Sequence, residues 1–469
     1  MNEVEEELKG TKNRSAPGED SLTYRILKCG GRTLSQHLAF LFTLIMATGH
    51  WPRDWKKGIV TMLPKPGKNH KLPASWRPIT LLSVLCKLLE KIILKRLQRA
   101  LAGLRPPNIT QAGYKRNRSC QEHLLRLTER VNLAFKSLEC VVGVFLDIKG
   151  AFDTIWQKGV QYKLLKLGLP KYLVRLIANF LEDRRVLVKV NKVISREIQM
   201  RAGTAQGAVL SPEIYKIYTD DTLEGKPDDV DGSQFADDLG CWCRGNCQLI
   251  AAEKIQQTLN LIFEWCRKWR MTLAPDKSVG IIFTRRPTLR NPQIDLKLNN
   301  TQIVIKNRVK FLGVHLDNEM RWGPHIDELK KNIKFKIYLI SKLARDQCYK
   351  FPSQILNLFK AIVKPVIDYG SICFINMAAC HWNKLNTIYT QALRSFLNIP
   401  QYISDERVLD NCHQESLEQQ VKTTTLNRLK GIVETTPFKD ELLSNINNPP
   451  RHLLYPSPLE TLRRERNNI

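Results

Sequence analysis

The run VVGVFL at residues 141–146 is unbroken by any polar side chain and ends on Asp147. An apolar stretch of this kind suits a strand buried on both faces, which requires a sheet whose two sides are covered. A carboxylate closing such a strand is costly unless it is paired or binds a cation. Further along, Asp237 and Asp238 lie inside SQFADDLGCW, between two short strand-forming runs at 234–236 and 239–242. That pattern predicts a β-hairpin with adjacent carboxylates at its tip. Neighbouring carboxylates repel and raise each other's pKa unless a cation neutralises them. Setting the hairpin beside the 141–147 strand brings three carboxylates together, which is how an oxygen-ligand site for Mg²⁺ is built. Alone, the Asp-Asp pair reads equally well as an acidic surface turn. The neighbouring motifs decide between the two.

At 469 residues the chain has room for two or three domains. It carries 73 Lys and Arg against 45 Asp and Glu, a net charge of +28, which points to a polyanionic partner. The opening MNEVEEEL is acidic and unlike a secretory leader, and the apolar stretch at 38–47 is too short to span a bilayer, so no membrane partner is expected. Twelve cysteines without a CxxC pair predict reduced thiols in an intracellular compartment, nucleus and/or cytoplasm. Cys241, Cys243 and Cys247 are expected to serve packing rather than zinc.

The periodicity predicts an α+β centre followed by a helical C-terminal module. SAPGED at 15–20 is expected to turn the chain and cap the next helix, and KGIVTM to form a strand before the loop LPKPGKNHKLP. A helix over 84–101 has one apolar face and a ridge of Lys87, Lys91, Lys95 and Arg99 expected to face solvent. A helical region at 160–183, a strand pair at 186–200 and a Gly-rich turn lead to a helix with Ser211 as N-cap and Pro212 at its first position. A helix at 253–270 and the strands VGIIFT and KFLGVHLD follow, with helices from residue 323 and looser order near the C-terminus. The expected division is 1–322, with a catalytic core at 141–165 and 199–318, and 323–469.

Asp147 and Asp237 are of the type that bridges two cations about 4 Å apart, with Asp238 beside them and the Ile148 carbonyl as a further hard ligand. Such a site activates a 3′-hydroxyl and steadies a pyrophosphate leaving group. Lys65 and Lys68 on the Pro-Gly loop, with Arg77, would clamp a triphosphate. Phe152 would floor the sugar pocket, or else be a core aromatic. Gln206 would reach a nucleotide or template, with Gly203 and Gly207 leaving the backbone open to close approach. Lys277 would donate a proton to the leaving group, or else be a surface lysine.

Read in order, LPKPGK, SWRPITLLSVLCKLLEKIILKRL, QAGYKRNRSC, FLDIKGAFD, GTAQGAVLSP, FADD, LAPDKS and KFLGVHLD resemble the reverse transcriptase of non-LTR (LINE-type) retrotransposons, most of all the jockey-like group. The match runs over about residues 15–317, and VKPVIDYGSICF resembles that group's following region. The resemblance implies a right-hand polymerase of fingers, palm and thumb, whose antiparallel palm sheet carries helices on one face. It implies that Asp147, Asp237 and Asp238 are the catalytic aspartates and, with Ile148, the metal ligands. Phe152 matches the gate against a ribose 2′-OH, Lys65 and Arg77 the triphosphate-binding cations, and Gln206 the nucleotide-pocket glutamine. Lys277 matches the general acid, and Phe311, Leu312 and Gly313 the primer-grip strand. Two Mg²⁺ ions, for which Mn²⁺ can substitute, an RNA template, a DNA primer and dNTP are the implied cofactors and partners.

Relatives of this kind carry an endonuclease upstream, whereas here the first polymerase motif lies close to Met1, and no ribonuclease H domain or Cys/His knuckle follows. A polymerase segment of a truncated, partial or domesticated element is therefore expected. The alternative is a catalytically silent RNA-binding remnant, against which the intact aspartates argue. An RNA-dependent RNA polymerase would need a polar residue at Phe152, and a group II intron maturase would carry an HNH-like tail.

Overall fold

A computed structural model describes residues 1–104, 108–115, 117–191, 193–289, 293–345, 352–442 and 457–467. It divides into two units, each drawn from three stretches of chain. The first comprises Met1–Tyr114, Ile148–Glu224 and Ile262–Ala274, and the second Lys115–Asp147, Gly225–Leu261 and Pro275–Ile469.

In the first unit, strand β1 (Lys57–Pro64) pairs antiparallel with β2 (Trp76–Leu81), as the KGIVTM pattern predicts. β1 also pairs in parallel with β4 (Arg185–Val190), which the short β5 (Val193–Ile194) and β6 (Ile198–Gln199) flank. (β3, Cys140–Asp147, belongs to the second unit.) The Pro-Gly loop turns at Gly67, whose φ of 69° favours glycine. Across its base the Lys65 N–H donates to the Ser75 carbonyl (2.9 Å) and the Trp76 indole donates to the His70 carbonyl (2.9 Å).

Around this sheet run α1 (Asn2–Lys9), α2 (Tyr24–Cys29), α3 (Gly31–Thr48) and α4 (Val84–Ala102). Leu88, Leu89, Ile92, Ile93 and Leu97 of α4 are buried, as its 3.6-residue period requires. Its basic ridge, however, is not simply solvated. Lys95 pairs with Glu6 and Glu7, Arg96 with Glu3, and the Lys91 ammonium lies over the Tyr24 ring. The acidic opening of the chain is the counter-charge for α4. Nor do residues 15–20 cap α2; Thr23 does, accepting from the Ile26 N–H (3.4 Å).

The helical region at 160–183 is two helices, α6 (Gln157–Lys166) and α7 (Lys171–Leu181), parted at Pro170, which cannot continue a helix from within. The next helix, α8 (Ser211–Thr219), corrects another expectation. Ser211 is not its N-cap, because its hydroxyl donates to the Ala205 carbonyl (2.8 Å) and pairs with the Thr204 hydroxyl (2.6 Å). The fully buried Glu90 takes that role from α4, accepting from the Leu210 N–H (2.9 Å). Burial pushes its carboxyl above the usual range, and backbone N–H donors at the helix start act the other way.

In the second unit β3 is the middle strand of a sheet and is buried through residues 140–146, with only Asp147 partly open. β7 (Val230–Phe235) and β8 (Asp238–Gly245) form the expected hairpin, and β8 and β9 (Val279–Phe283) flank β3 antiparallel. Two small strands, β10 (Lys297–Leu298) and β11 (Thr301–Gln302), precede β12 (Val304–Ile305), which runs parallel to β9 and is the one departure from a fully antiparallel sheet. Cys241 and Cys243 are buried on β8. From α5 (Cys120–Lys136), Leu124, Leu127 and Val131 enter one core with Val141, Phe145, Trp242 and Phe283.

β13 (Arg308–Phe311) and β14 (Val314–Asp317) make a second hairpin. Helix α9 (Gln248–Lys268) lies between β8 and β9 in the chain, and beyond the second hairpin come α10 (Gly323–Arg345), α11 (Pro352–Ile362), α12 (Lys364–Phe374), α13 (Ala379–Leu397), α14 (Asp405–Asn411) and α15 (Leu417–Thr435). The expectation of looser order fails for the C-terminal helix Pro458–Asn467, where Leu459 and Leu462 are buried and Glu460 pairs with Lys136 (2.6 Å). Residues 443–456, also included in that expectation, lie outside the described residues. Among the described residues no helix is long and apolar enough to cross a membrane.

Candidate active site

The three aspartates fall within the second unit. Asp147, last on β3, is the direct cross-strand partner of Asp238, first on β8. Asp237 lies in the tight turn between β7 and β8, where Ala236 takes a left-handed φ of 55° and thereby turns the hairpin before the acids. Asp237 and Asp238 are exposed and Asp147 is half-buried. Lys277, two residues before β9 begins, donates from Nζ to Asp147 Oδ2 (3.0 Å). It is therefore the cation that Asp147 has.

Asp238 has none. Desolvation by the surrounding sheet, then the charges of Asp237 and Asp147, push its carboxyl up to about 6. Among the described residues no three acidic, His or Cys side chains are gathered closely enough to hold a metal ion as they stand. The donor chemistry still fits a hard divalent cation. The ligands are carboxylates, two of them opposed across one strand pair, and an added positive charge would relieve the repulsion that raises Asp238.

A carboxyl whose pKa is raised on folding costs stability above its folded pKa, and that cost vanishes below its unfolded one. Asp238→Asn should therefore raise the Tm in metal-free buffer at about pH 7.5, and the gain should fade as pH drops through about 6 toward 4. Thermal melts across that range check it. A gain that is independent of pH would detach the effect from this carboxylate.

The segment expected as a primer-grip strand is mostly a turn. Phe311 ends β13, while Leu312 (φ 44°) and Gly313 (φ 81°) are the connecting residues of the β13–β14 hairpin. Two successive left-handed residues match the twist of a tight hairpin. Phe311 packs on Phe145 with ring centroids 4.4 Å apart, two residues before Asp147 on β3. Gly240 lies opposite Phe145, and a Cβ there would come within 3.1 Å of Phe145 and 3.2 Å of Phe311. The aspartate strands and the turn are thus joined by aromatic packing.

The remaining candidates lie in the first unit. Arg77 is on β2 opposite Leu63, and Lys65 just beyond the end of β1, with its ammonium donating to the Ala74 carbonyl (3.0 Å). Arg77 and Lys68 are exposed. Phe152 is half-buried. Its ring stacks on Tyr215 of α8 at 5.0 Å and meets Tyr114 edge-on at 6.2 Å, and its carbonyl accepts from the Thr204 N–H (2.8 Å). Gln206 binds Asp153 through its side chain (2.9 Å) and Thr80 of β2 through its carbonyl (2.7 Å). One backbone network therefore holds the cationic hairpin, the glutamine and the aromatic ring together. Ile148, next after Asp147 in the chain, forms an isolated bridge with Leu273.

The two glycines do not leave space for a ligand. A Cβ on Gly203 would fall 2.6 Å from the Asp153 carbonyl oxygen, and one on Gly207 2.8 Å from that of Thr80. Their φ values of 82° and 113° favour glycine as well. Both serve close approach of the protein's own backbone, which the sequence reading had given to a nucleotide. Sequence reasoning does not single out Asp153, Tyr215 or Tyr114. Only the DIKGAFD motif hinted at Asp153, and nothing local marks the tyrosines.

A family profile described as "Reverse transcriptase (RNA-dependent DNA polymerase)" matches residues 63–316. The chain is 27% identical to the probable RNA-directed DNA polymerase from transposon BS of Drosophila melanogaster, over 99% of this chain and 51% of that protein. It is 31% identical to the probable RNA-directed DNA polymerase from transposon X-element of the same fly, over 84% and 43% of the two chains. A third relative, the RNA-directed DNA polymerase from mobile element jockey, is 29% identical over 83% and 43%. The chain spans about half the length of these relatives or less.

Proposed function

Because the chain belongs to the reverse transcriptase family, we propose that it is the polymerase portion of a jockey-like non-LTR retrotransposon protein, extending a DNA primer on an RNA template from dNTPs. The register pairing of Asp147 with Asp238, beside Asp237 in the turn, is the observation that carries this reading. In it, residues 1–322 supply fingers and palm of a right-hand polymerase, and 323–469 the thumb and C-terminal region.

Asp147, Asp237 and Asp238, with the Ile148 carbonyl, would hold divalent cations, Mg²⁺ or in its place Mn²⁺. Such ions supply Lewis acidity for the primer 3′-hydroxyl and charge for the departing pyrophosphate. The chain's own groups do the positioning. Arg77 and Lys65 take the triphosphate oxygens, and Gln206, oriented by Asp153, meets the nucleotide. The Phe152 ring, backed by Tyr215, closes the space under the sugar. Lys277 shares its proton with Asp147 at rest and gives it to the leaving pyrophosphate. The +28 charge favours a nucleic-acid partner for the whole surface.

Primer extension on poly(rA)/oligo(dT) by the purified chain tests the reading. RNA binding with no extension under Mg²⁺ or Mn²⁺ would leave the silent remnant in its place. Arg77→Ala and Lys65→Ala should each raise the KM for dNTP about tenfold or more, since a charge-assisted contact is worth about 1.5–3 kcal/mol, while template affinity changes little. Steady-state kinetics checks this. An unchanged dNTP KM with weakened template binding would move both residues to the template channel.

A further inference from the structure

The β13–β14 turn does not hold itself in place. Leu312 is a non-glycine residue at a φ of 44°, a left-handed conformation that L side chains disfavour without outside support. The support comes from Tyr369 on α12. Its phenol donates to the Leu312 carbonyl (2.8 Å), satisfying an acceptor that a tight hairpin points away from its own strands. The ring also presses on the next residue. A Cβ on Gly313 would lie 3.1 Å from the Tyr369 ring, which would have to give way by a few tenths of an ångström, and the residue's own φ favours glycine.

Tyr369 is fixed from behind. Its backbone carbonyl accepts from the Gln121 side chain of α5 (2.8 Å). The preceding residue, Asp368, is buried, takes Lys364 on its carboxylate (2.7 Å) and gives its carbonyl to Arg428 of α15 (2.8 Å). On the turn's other side, Phe311 is locked against Phe145, and Gly240 leaves that pair no slack. The turn is thus held between the aspartate-bearing sheet and one phenol from the helical region.

We propose that Tyr369 is a positioning residue for the primer terminus, setting the Leu312–Gly313 turn at a fixed place relative to Asp147 and Asp238. The proposal rests on the polymerase reading and on assigning this turn to the primer. Tyr369 touches no reacting atom in this role. It acts through the turn, so its loss should slow the chemical step by misplacing the 3′-hydroxyl rather than weaken binding, since small misplacements near a reacting centre are costly in rate.

The test is single-turnover extension of a primer–template by the full chain, with Tyr369→Phe as the first variant. It removes one hydroxyl and keeps the ring. The extension rate should fall about tenfold, while the Kd for primer–template and the Kd for dNTP stay within error of wild type and the Tm drops by only a few degrees, leaving the variant fully folded at the assay temperature. Gly313→Ala provides the second arm. Its defect should be severe in the wild-type background and smaller in Tyr369→Ala, because the added methyl no longer meets the ring, although the positive φ keeps some defect in both. An active wild type whose Tyr369→Phe variant extends at the same rate overturns the proposal alone. So does a loss of rate that only tracks a fall in Tm, or the absence of coupling between Gly313 and Tyr369. A wild type that extends no primer overturns the polymerase reading, and the proposal with it.

Discussion

Asp237→Ala should abolish DNA synthesis, lowering extension at least about a thousandfold, and leave RNA affinity within about twofold of wild type. The structure makes this substitution unusually clean. Asp237 is exposed, and the positive φ of the turn belongs to Ala236, so an alanine at 237 inherits no strained backbone. What disappears is one negative charge and one oxygen ligand from a cluster that includes Asp147 and Asp238. Removing a negative charge cannot weaken binding to a polyanion. It should instead ease the repulsion that raises the Asp238 carboxyl. Parallel measurements of extension and RNA binding check the prediction. Substantial extension by the variant would place the active site elsewhere.

Phe152→Val should let ribonucleotides in, raising rNTP kcat/KM about 10–100-fold while dNTP kcat/KM falls only modestly. The ring is half-buried rather than lost in the core, with Tyr215 behind it and Tyr114 at its edge. Trimming it leaves the hydrogen bond from Thr204 to its carbonyl, the Gln206–Asp153 contact and the cationic hairpin in place. The loss of stacking should cost about 1–2 kcal/mol of stability, which a melt will register separately from specificity. Competition between dNTP and rNTP in primer extension is the measurement. A wild type already indifferent to the 2′-hydroxyl, or a variant that still rejects it, would return Phe152 to the role of a core aromatic.

Much of this was legible from residues close together in the chain. The burial of β3 follows from VVGVFL, and the FADD hairpin from its flanking strand formers, because both patterns are local and have a short period. The local sequence left Lys277 open between a proton donor and a surface lysine, and the structure gives it Asp147 as a partner. What escaped were choices between equally good hydrogen-bond partners. A serine before a proline is the expected cap, yet the Ser211 hydroxyl turns back to the Ala205 carbonyl, while buried Glu90 from a distant helix accepts from the Leu210 N–H at the helix start. Likewise Lys95 reads as solvated because its acids, Glu6 and Glu7, lie far off in the chain, in α1. Gly203 and Gly207 marked close approach correctly, but sequence could not say which backbone approaches.

The division of the chain bears on how the protein is made. Each unit is assembled from three stretches, and the first takes its final piece from Ile262–Ala274. At roughly 5–20 residues per second, a ribosome needs about 10–45 s to go from β1 to that point. Until then β1 has its hairpin partner, while the last part of its unit is still unsynthesised. A nascent chain therefore carries unfinished apolar surface throughout that interval, the condition under which chaperones are recruited and proteases succeed. A message broken anywhere before Ala274 encodes neither unit whole, so shortened transcripts should yield material cleared by quality control rather than a smaller working protein.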